Sequence, residues 1–405
     1  MANERPTQGV AGRVAIVQGQ TRATLALSLA FVGATALALV IPHRTGWWLP
    51  LHLFLAGALL LAISAATQLF AVTWAAGPPA SNRVAAAQRW LLAGSVAMLT
   101  ASHELRWPNA LTALGGAGVI AALIVLGQSL STTVRAGVQR RFDAAVRGYI
   151  CALAAGMIGC AFGIAMAVGL SGSALVRVRA AHLTLNLLGL IGLVIVATLP
   201  SFTATEARVK MSPRADRRGQ DALLAWLCLA IVVTTTGYLW GRQAVAAAGL
   251  CAYAAGLVGL SGMLPAIHVK QIRWAGPRLL QLGAGITWWA GATLALAWQT
   301  AHHHAAFTQP VLGVLVVGGY AQILAAALAY LGPVLRGGGH ERLSAGFHTT
   351  RSWFGLLAAN VAAVAMAVGA HTVVVVAVGA WLLDTAARAS MLATRPGRVR
   401  PAAQR

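Results

Sequence analysis

Two histidines open closely similar stretches of this chain. His52 begins His-Leu-Phe-Leu in LHLFLAGALLLAISAAT, and His182 begins His-Leu-Thr-Leu in AHLTLNLLGLIGLVIVATLP. They lie 182 − 52 = 130 positions apart, and a further 130 reaches Leu312 in VLGVLVVGGYAQ, an apolar stretch without a histidine. Neutral imidazole gives a nitrogen lone pair to iron or copper. Each of the two histidines heads a long apolar run, and an ionisable side chain there is a functional hypothesis by default. On a helix, Asn186 shares a face with His182, and Gly189 lies one turn further along it. Such a stripe suits either the edge of a cofactor or close helix packing. The plainer alternative is that both histidines hydrogen-bond neighbouring helices.

Other residues of the same chemistry gather at the same ends of the apolar runs. His43, His103, His302, His303, His304 and His371 join His52 and His182 there, while His268, His340 and His348 fall at the opposite ends. The plain reading of most is interfacial imidazole, which costs little at headgroup depth. Glu104 follows His103 directly and, with Arg106 close by, either orients it as a ligand's partner or belongs to a solvated turn. Consecutive residues on a helix point about 100° apart, so the triple 302–304 cannot grip one ion together, and His303 is the member suited to reach inward. The metal candidates are therefore His52, His182, His103 and His303. Asp384 and Arg388 stand four apart on one helix, a spacing for a relay or, more simply, an anchoring pair. No residue is assigned a catalytic role.

The elements that must position these residues follow from composition. The chain is 58% hydrophobic and 9% charged, with a mean hydropathy of +0.73. A soluble domain carries about 25% charged residues, so an all-α polytopic membrane protein is the expected class. Apolar runs predict twelve transmembrane helices over about 23–41, 48–76, 90–104, 109–132, 148–171, 181–205, 221–240, 243–267, 278–301, 310–335, 352–369 and 372–393. With twelve spans, 25 of the 30 Lys and Arg fall on the side of the termini and 5 on the other. That asymmetry predicts a bacterial plasma membrane protein with cytoplasmic N- and C-termini, and with 1–21 and 394–405 as cytoplasmic tails.

The charge of +22 is spread among the turns between spans and carries no recognition motif, so nucleic acid is excluded as a partner. The lipid bilayer is the partner that composition demands. Cys151, Cys160, Cys228 and Cys251 all lie in apolar runs, with no disulfide framework and no Cys-x-x-Cys. The loops are short, and no phosphate loop, dinucleotide fingerprint or zinc-protease motif occurs. The 130-residue spacing divides the chain into a single domain of three four-helix blocks, about 23–147, 148–277 and 278–393, and predicts three-fold pseudosymmetry about the membrane normal.

The segments WWLPLHLFLAG, AHLTLNLLGLIGL and GYAQILAAALAYLGPVLRGGG resemble haem–copper oxidase subunit I-like bacterial membrane proteins, specifically the NnrS-like proteins and the membrane region of actinobacterial copper oxidases. The resemblance implies a haem- or metal-binding redox protein linked to nitrogen-oxide or copper metabolism. It implies haem b as the cofactor, with copper as the second candidate, and a copper oxidase or electron-transfer protein as the partner. His52 then matches the haem-ligand histidine of the second helix and His182 the histidine of the sixth. The seventh helix, DALLAWLCLAIVVTTTGYLW, has no histidine where oxidases hold copper ligands, and the tenth has none where they hold haem ligands. A complete oxygen-reducing centre is therefore not expected. A secondary transporter and a cofactor-free assembly or sensor scaffold remain as alternatives.

Overall fold

The computed structural model describes residues 9–394, and among them every regular element is helical. Eleven helices are long and apolar enough to cross a membrane. The chain is thus a multi-pass helical membrane protein. The helices are α1 (Val10–Val40), α2 (Trp48–Ala75), α3 (Asn82–Glu104), α4 (Asn109–Arg135), α5 (Asp143–Ala167), α6 (Gly172–Ala207), α7 (Arg217–Leu239) and α8 (Gln243–Met263). The short α9 (Val269–Ala275) follows, then α10 (Pro277–Ala301), α11 (Gln309–Arg336), α12 (Gly339–Thr349), α13 (Trp353–Ala367) and α14 (His371–Thr394). All but α9, α12 and α13 have spanning length and composition. At 1.5 Å per residue, α13 reaches roughly 22 Å, short of an apolar core of about 30 Å.

Several boundaries differ from expectation. Helix α1 starts at Val10 rather than near residue 23, so much of the stretch read as an N-terminal tail is helical. The rest of that tail, 1–8, and the C-terminal tail from 395 lie outside the described residues. Helix α6 starts at Gly172, not near 181, because Gly169 (φ 126°) and Gly172 (φ 57°) make the turn there. Arg177 and Arg179 consequently sit within the helix, where long stems let guanidinium groups reach toward an interface. The stretch 336–351, read as a loop, holds α12, with Glu341 in its first turn, where a carboxylate favours the helix dipole.

Contacts divide the chain into two units. Unit 1 comprises Met1–Leu199 and Arg214–Tyr253, and unit 2 comprises Pro200–Pro213 and Ala254–Arg405. Within unit 1, glycines let helices approach. A Cβ on Gly237 would lie 2.4 Å from the Ala246 nitrogen, and one on Gly249 would lie 2.4 Å from Thr234 Oγ1, so α7 and α8 touch backbone to backbone. Ser81 caps α3 by accepting the Val84 N–H, and Asp216 caps α7 by accepting that of Gly219.

Three π-helical segments interrupt otherwise α-helical spans: Leu53–Leu59 in α2, Thr184–Gly192 in α6 and Val314–Ala321 in α11. Their first residues fall at 53, 184 and 314, just after positions 52, 182 and 312. The repeat is therefore a backbone event as well as a sequence one, and it persists in the third copy, which has no histidine. A widened turn leaves carbonyls short of helical partners, and a side chain serves one in each case. Ser28 donates to the Ala58 carbonyl at 2.7 Å, Asn186 to that of His182 at 2.8 Å, and Gln322 to that of Gly318 at 3.0 Å.

Candidate functional site

His182 is seated by three glycines on α5. Cβ atoms on Gly156, Gly159 and Gly163 would meet Leu190 at 2.7 Å, Asn186 at 2.4 Å and His182 at 3.0 Å, respectively. The two antiparallel faces mesh only because α5 has no side chain at these steps. The Gly159 carbonyl accepts from His182 Nδ1 at 2.7 Å. This bond fixes the tautomer with the proton on Nδ1 and leaves Nε2 with its lone pair. Asn186 donates to the His182 carbonyl at 2.8 Å, which fixes the backbone beneath the ring.

His52 is treated the same way by its own helix. Its Nδ1 bonds to the Trp48 carbonyl at 2.8 Å, again turning Nε2 into the free acceptor. The indole of Trp48 stacks on the His52 ring at 4.0 Å, and His103 packs on the same indole at 4.1 Å. The His52 and His182 ring centroids are 6.5 Å apart, with their planes inclined by only 20°. Two histidines 130 residues apart are thus brought together inside unit 1.

The remaining candidates separate into other places. Glu104 does not orient His103. Its carboxylate accepts the Arg44 N–H and the Thr45 hydroxyl, both at 2.5 Å, and pins the turn after α1 to the end of α3. Arg44 answers by donating to the carbonyls of Glu104 and His103. On that turn, the two ring nitrogens of His43 face the carbonyls of Ile41 (2.9 Å) and Gly46 (2.6 Å). Only the doubly protonated ring satisfies both, so these bonds raise its pKa above 6.5. NMR titration of His43 is expected to give a midpoint above 6.5, with the Gly46 or Ile41 contact released as pH rises through it. A midpoint at or below 6.5 would refute this arrangement.

His303 lies in unit 2, exposed, with φ 58° in the turn that ends α10. Asp384 and Arg388 are also in unit 2 and form a two-oxygen pair, both contacts at 3.0 Å. Ser352, the N-cap of α13, donates to Asp384 Oδ2 at 2.5 Å, and Arg388 donates to the carbonyls of Thr349 and Arg351. The pair therefore fastens α14 to the turn between α12 and α13. Asp384→Asn is expected to lower the thermal unfolding midpoint of purified protein, at a cost of about 1–3 kcal/mol for the charged hydrogen bonds lost. An unchanged midpoint would argue against the anchoring role.

Sequence reasoning missed the glycine seat, Trp48 as a spacer between rings, and a buried ion pair in unit 2. Arg278 Nε lies 3.1 Å from Glu206 Oε1, with the side chains 1% and 0% exposed. Among the described residues, no three His, Cys, Asp or Glu side chains come together as a metal set. What assembles instead is a pair of imidazoles with their Nδ1 atoms occupied. No family model matches the chain, and no curated protein matches it.

Proposed function

We propose that the protein is an integral membrane haem-binding redox protein in which His52 and His182 would hold the haem. The observation that carries this reading is the pair itself, with both Nδ1 atoms bonded to carbonyls and ring centroids 6.5 Å apart. Two neutral imidazoles this close, each with its Nδ1 committed, would suit a haem iron better than a bare structural ion, which takes about four protein ligands. Bound there, haem supplies one-electron transfer. Copper held by the same two nitrogens is the second candidate.

The chain's own residues do the rest. Gly159 and Trp48 carbonyls hold the tautomers, and Gly163 leaves room for the His182 ring. Leu185 and Leu188 are buried apolar neighbours of His182 in sequence, and half-buried Phe54 and Leu55 follow His52, so apolar side chains would be available to a macrocycle. In the same reading the chain carries twelve spans in three four-helix blocks, has cytoplasmic termini in a bacterial plasma membrane, and exchanges electrons with a copper oxidase or another electron-transfer protein in nitrogen-oxide or copper metabolism. The test is the visible spectrum and metal content of protein purified from haem- and copper-replete cells. A Soret band with one haem per chain supports the proposal. Protein with neither haem nor copper would leave the transporter or scaffold reading in its place.

A further inference from the structure

A second polar centre lies in unit 2, around the start of α10. That helix begins at Gly276 (φ 69°, ψ −149°) followed by Pro277, and no side chain caps it. Arg278 stands in its first turn, 1% exposed. Its Nε is near Glu206, yet neither Nε, Nη1 nor Nη2 has an aligned hydrogen-bond partner, and neither carboxylate oxygen of Glu206 has one. Its other close neighbours are the ring faces of Phe347, 4.7 Å from the guanidinium carbon, and Tyr330, 5.8 Å away.

Arg351 lies across the same turn. A Cβ on Gly276 would come within 3.1 Å of Arg351 Cδ and 3.3 Å of its Nε, so the absence of a side chain at 276 is what lets Arg351 in. Arg351 donates to the Trp274 carbonyl, while its Nε is buried without a partner, as is the Trp274 indole N–H. Arg208 covers the face of that indole at 3.4 Å. It does so from a left-handed backbone position (φ 55°) at the end of α6, where glycine is the usual residue. The Arg351 guanidinium carbon lies 5.9 Å from the centre of the same indole.

Three guanidinium groups thus converge with one carboxylate, an excess of two positive charges, and the nearby acid Asp384 is already committed to Arg388. The unpartnered groups are mostly donors: those of Arg278, Arg351 Nε, the Trp274 indole and the first turn of α10. A water molecule would supply lone pairs but leave the charge uncompensated. A planar guanidinium fork beside an uncapped helix N-terminus matches an anion with several oxygens. We propose that this centre binds a phosphate group, either the headgroup of an anionic phospholipid or free inorganic phosphate, with Arg278 and Arg351 as the main contacts and Arg208 at the rim.

The experiment compares wild-type protein with Arg351→Gln and Arg208→Gln, which leave the Glu206–Arg278 pair in place. Native mass spectrometry after exposure to phosphatidylglycerol-containing and phosphatidylcholine-only vesicles reads the lipid arm. The shift of the thermal midpoint by inorganic phosphate against chloride at equal ionic strength reads the free-anion arm. Wild-type protein should retain phosphatidylglycerol, or be stabilised by phosphate, with affinity about tenfold weaker in each variant, as expected for the loss of one charged hydrogen bond. Retained lipid assigns the source as a headgroup, and a phosphate-specific shift assigns it as the free ion. Should Arg351→Gln not fold, protection of wild-type arginines by phosphate against phenylglyoxal takes its place beside Arg208→Gln. Wild-type protein that responds to neither ligand overturns the proposal, as do variants that bind as well as wild type.

Discussion

His52→Ala and His182→Ala, made singly, are each expected to abolish the low-spin haem spectrum of the purified protein while leaving its amount in the membrane unchanged. Both rings are held by carbonyl bonds that fix the tautomer, so in the proposed reading each would offer its Nε2 to the haem. Even partners outside a ligand set cost about 10–100-fold in affinity when removed, and a residue that would hold the haem directly should cost at least that. Gly163→Leu provides an independent arm. Even a Cβ at 163 would sit 3.0 Å from His182 Cε1, so a leucine must displace the ring without touching its chemistry. It should weaken or shift the same bands. If both alanine variants kept the wild-type spectrum, the ligand assignment would fail, whatever the cofactor.

Arg278→Met should be the most destabilising single change in unit 2. It strands Glu206, whose side chain is 0% exposed and has, among the described residues, no other charged partner within salt-bridge distance. Breaking a buried pair from one side costs about 3–5 kcal/mol, mainly because an uncompensated charge stays buried. The double variant Glu206→Leu/Arg278→Met removes both charges and should regain much of the lost stability, since apolar replacements of buried pairs are often neutral or stabilising. The measurement is the thermal midpoint and monodispersity of detergent-solubilised protein. A double variant no more stable than Arg278→Met alone would show that the pair matters through packing rather than charge.

The membrane class was legible because charged residues are scarce and apolar runs are long. That His52 and His182 are of a kind was legible from the repeated His-Leu-x-Leu, and that Asn186 shares a face with His182 from its helical spacing; that the two rings come within 6.5 Å was not. The glycine seat was not, because 44 glycines give no reason to prefer 156, 159 and 163 until the facing helix is known. Glu206 and Arg278 escaped notice for a related reason. They stand at the ends of apolar runs, beside basic turns, and read as charges facing water; only tertiary contact buries them. Glu104 next to His103 suggested a ligand's partner, but a chain turn from 60 residues away claimed its oxygens first. The π segments follow the 52/182/312 spacing, but the residue types within them would equally continue an α-helix, so the widened turn itself was not legible.

Those segments have a consequence for how the chain tolerates length changes. A π turn holds one residue more than the α turn it replaces, and each residue of an α-helix advances about 100° around the axis. Deleting a single residue within Thr184–Gly192 would let α6 relax to continuous α geometry, at almost no cost in length. The two ends of the helix would then keep their facing, because the π turn and the α turn that replaces it each close one revolution. The same deletion in a regular α-helical stretch would turn one end against the other by about 100°. A residue lost inside a π segment is therefore absorbed where one lost elsewhere acts as a rotation, and the three π segments are the places where this protein is freest to lose a residue.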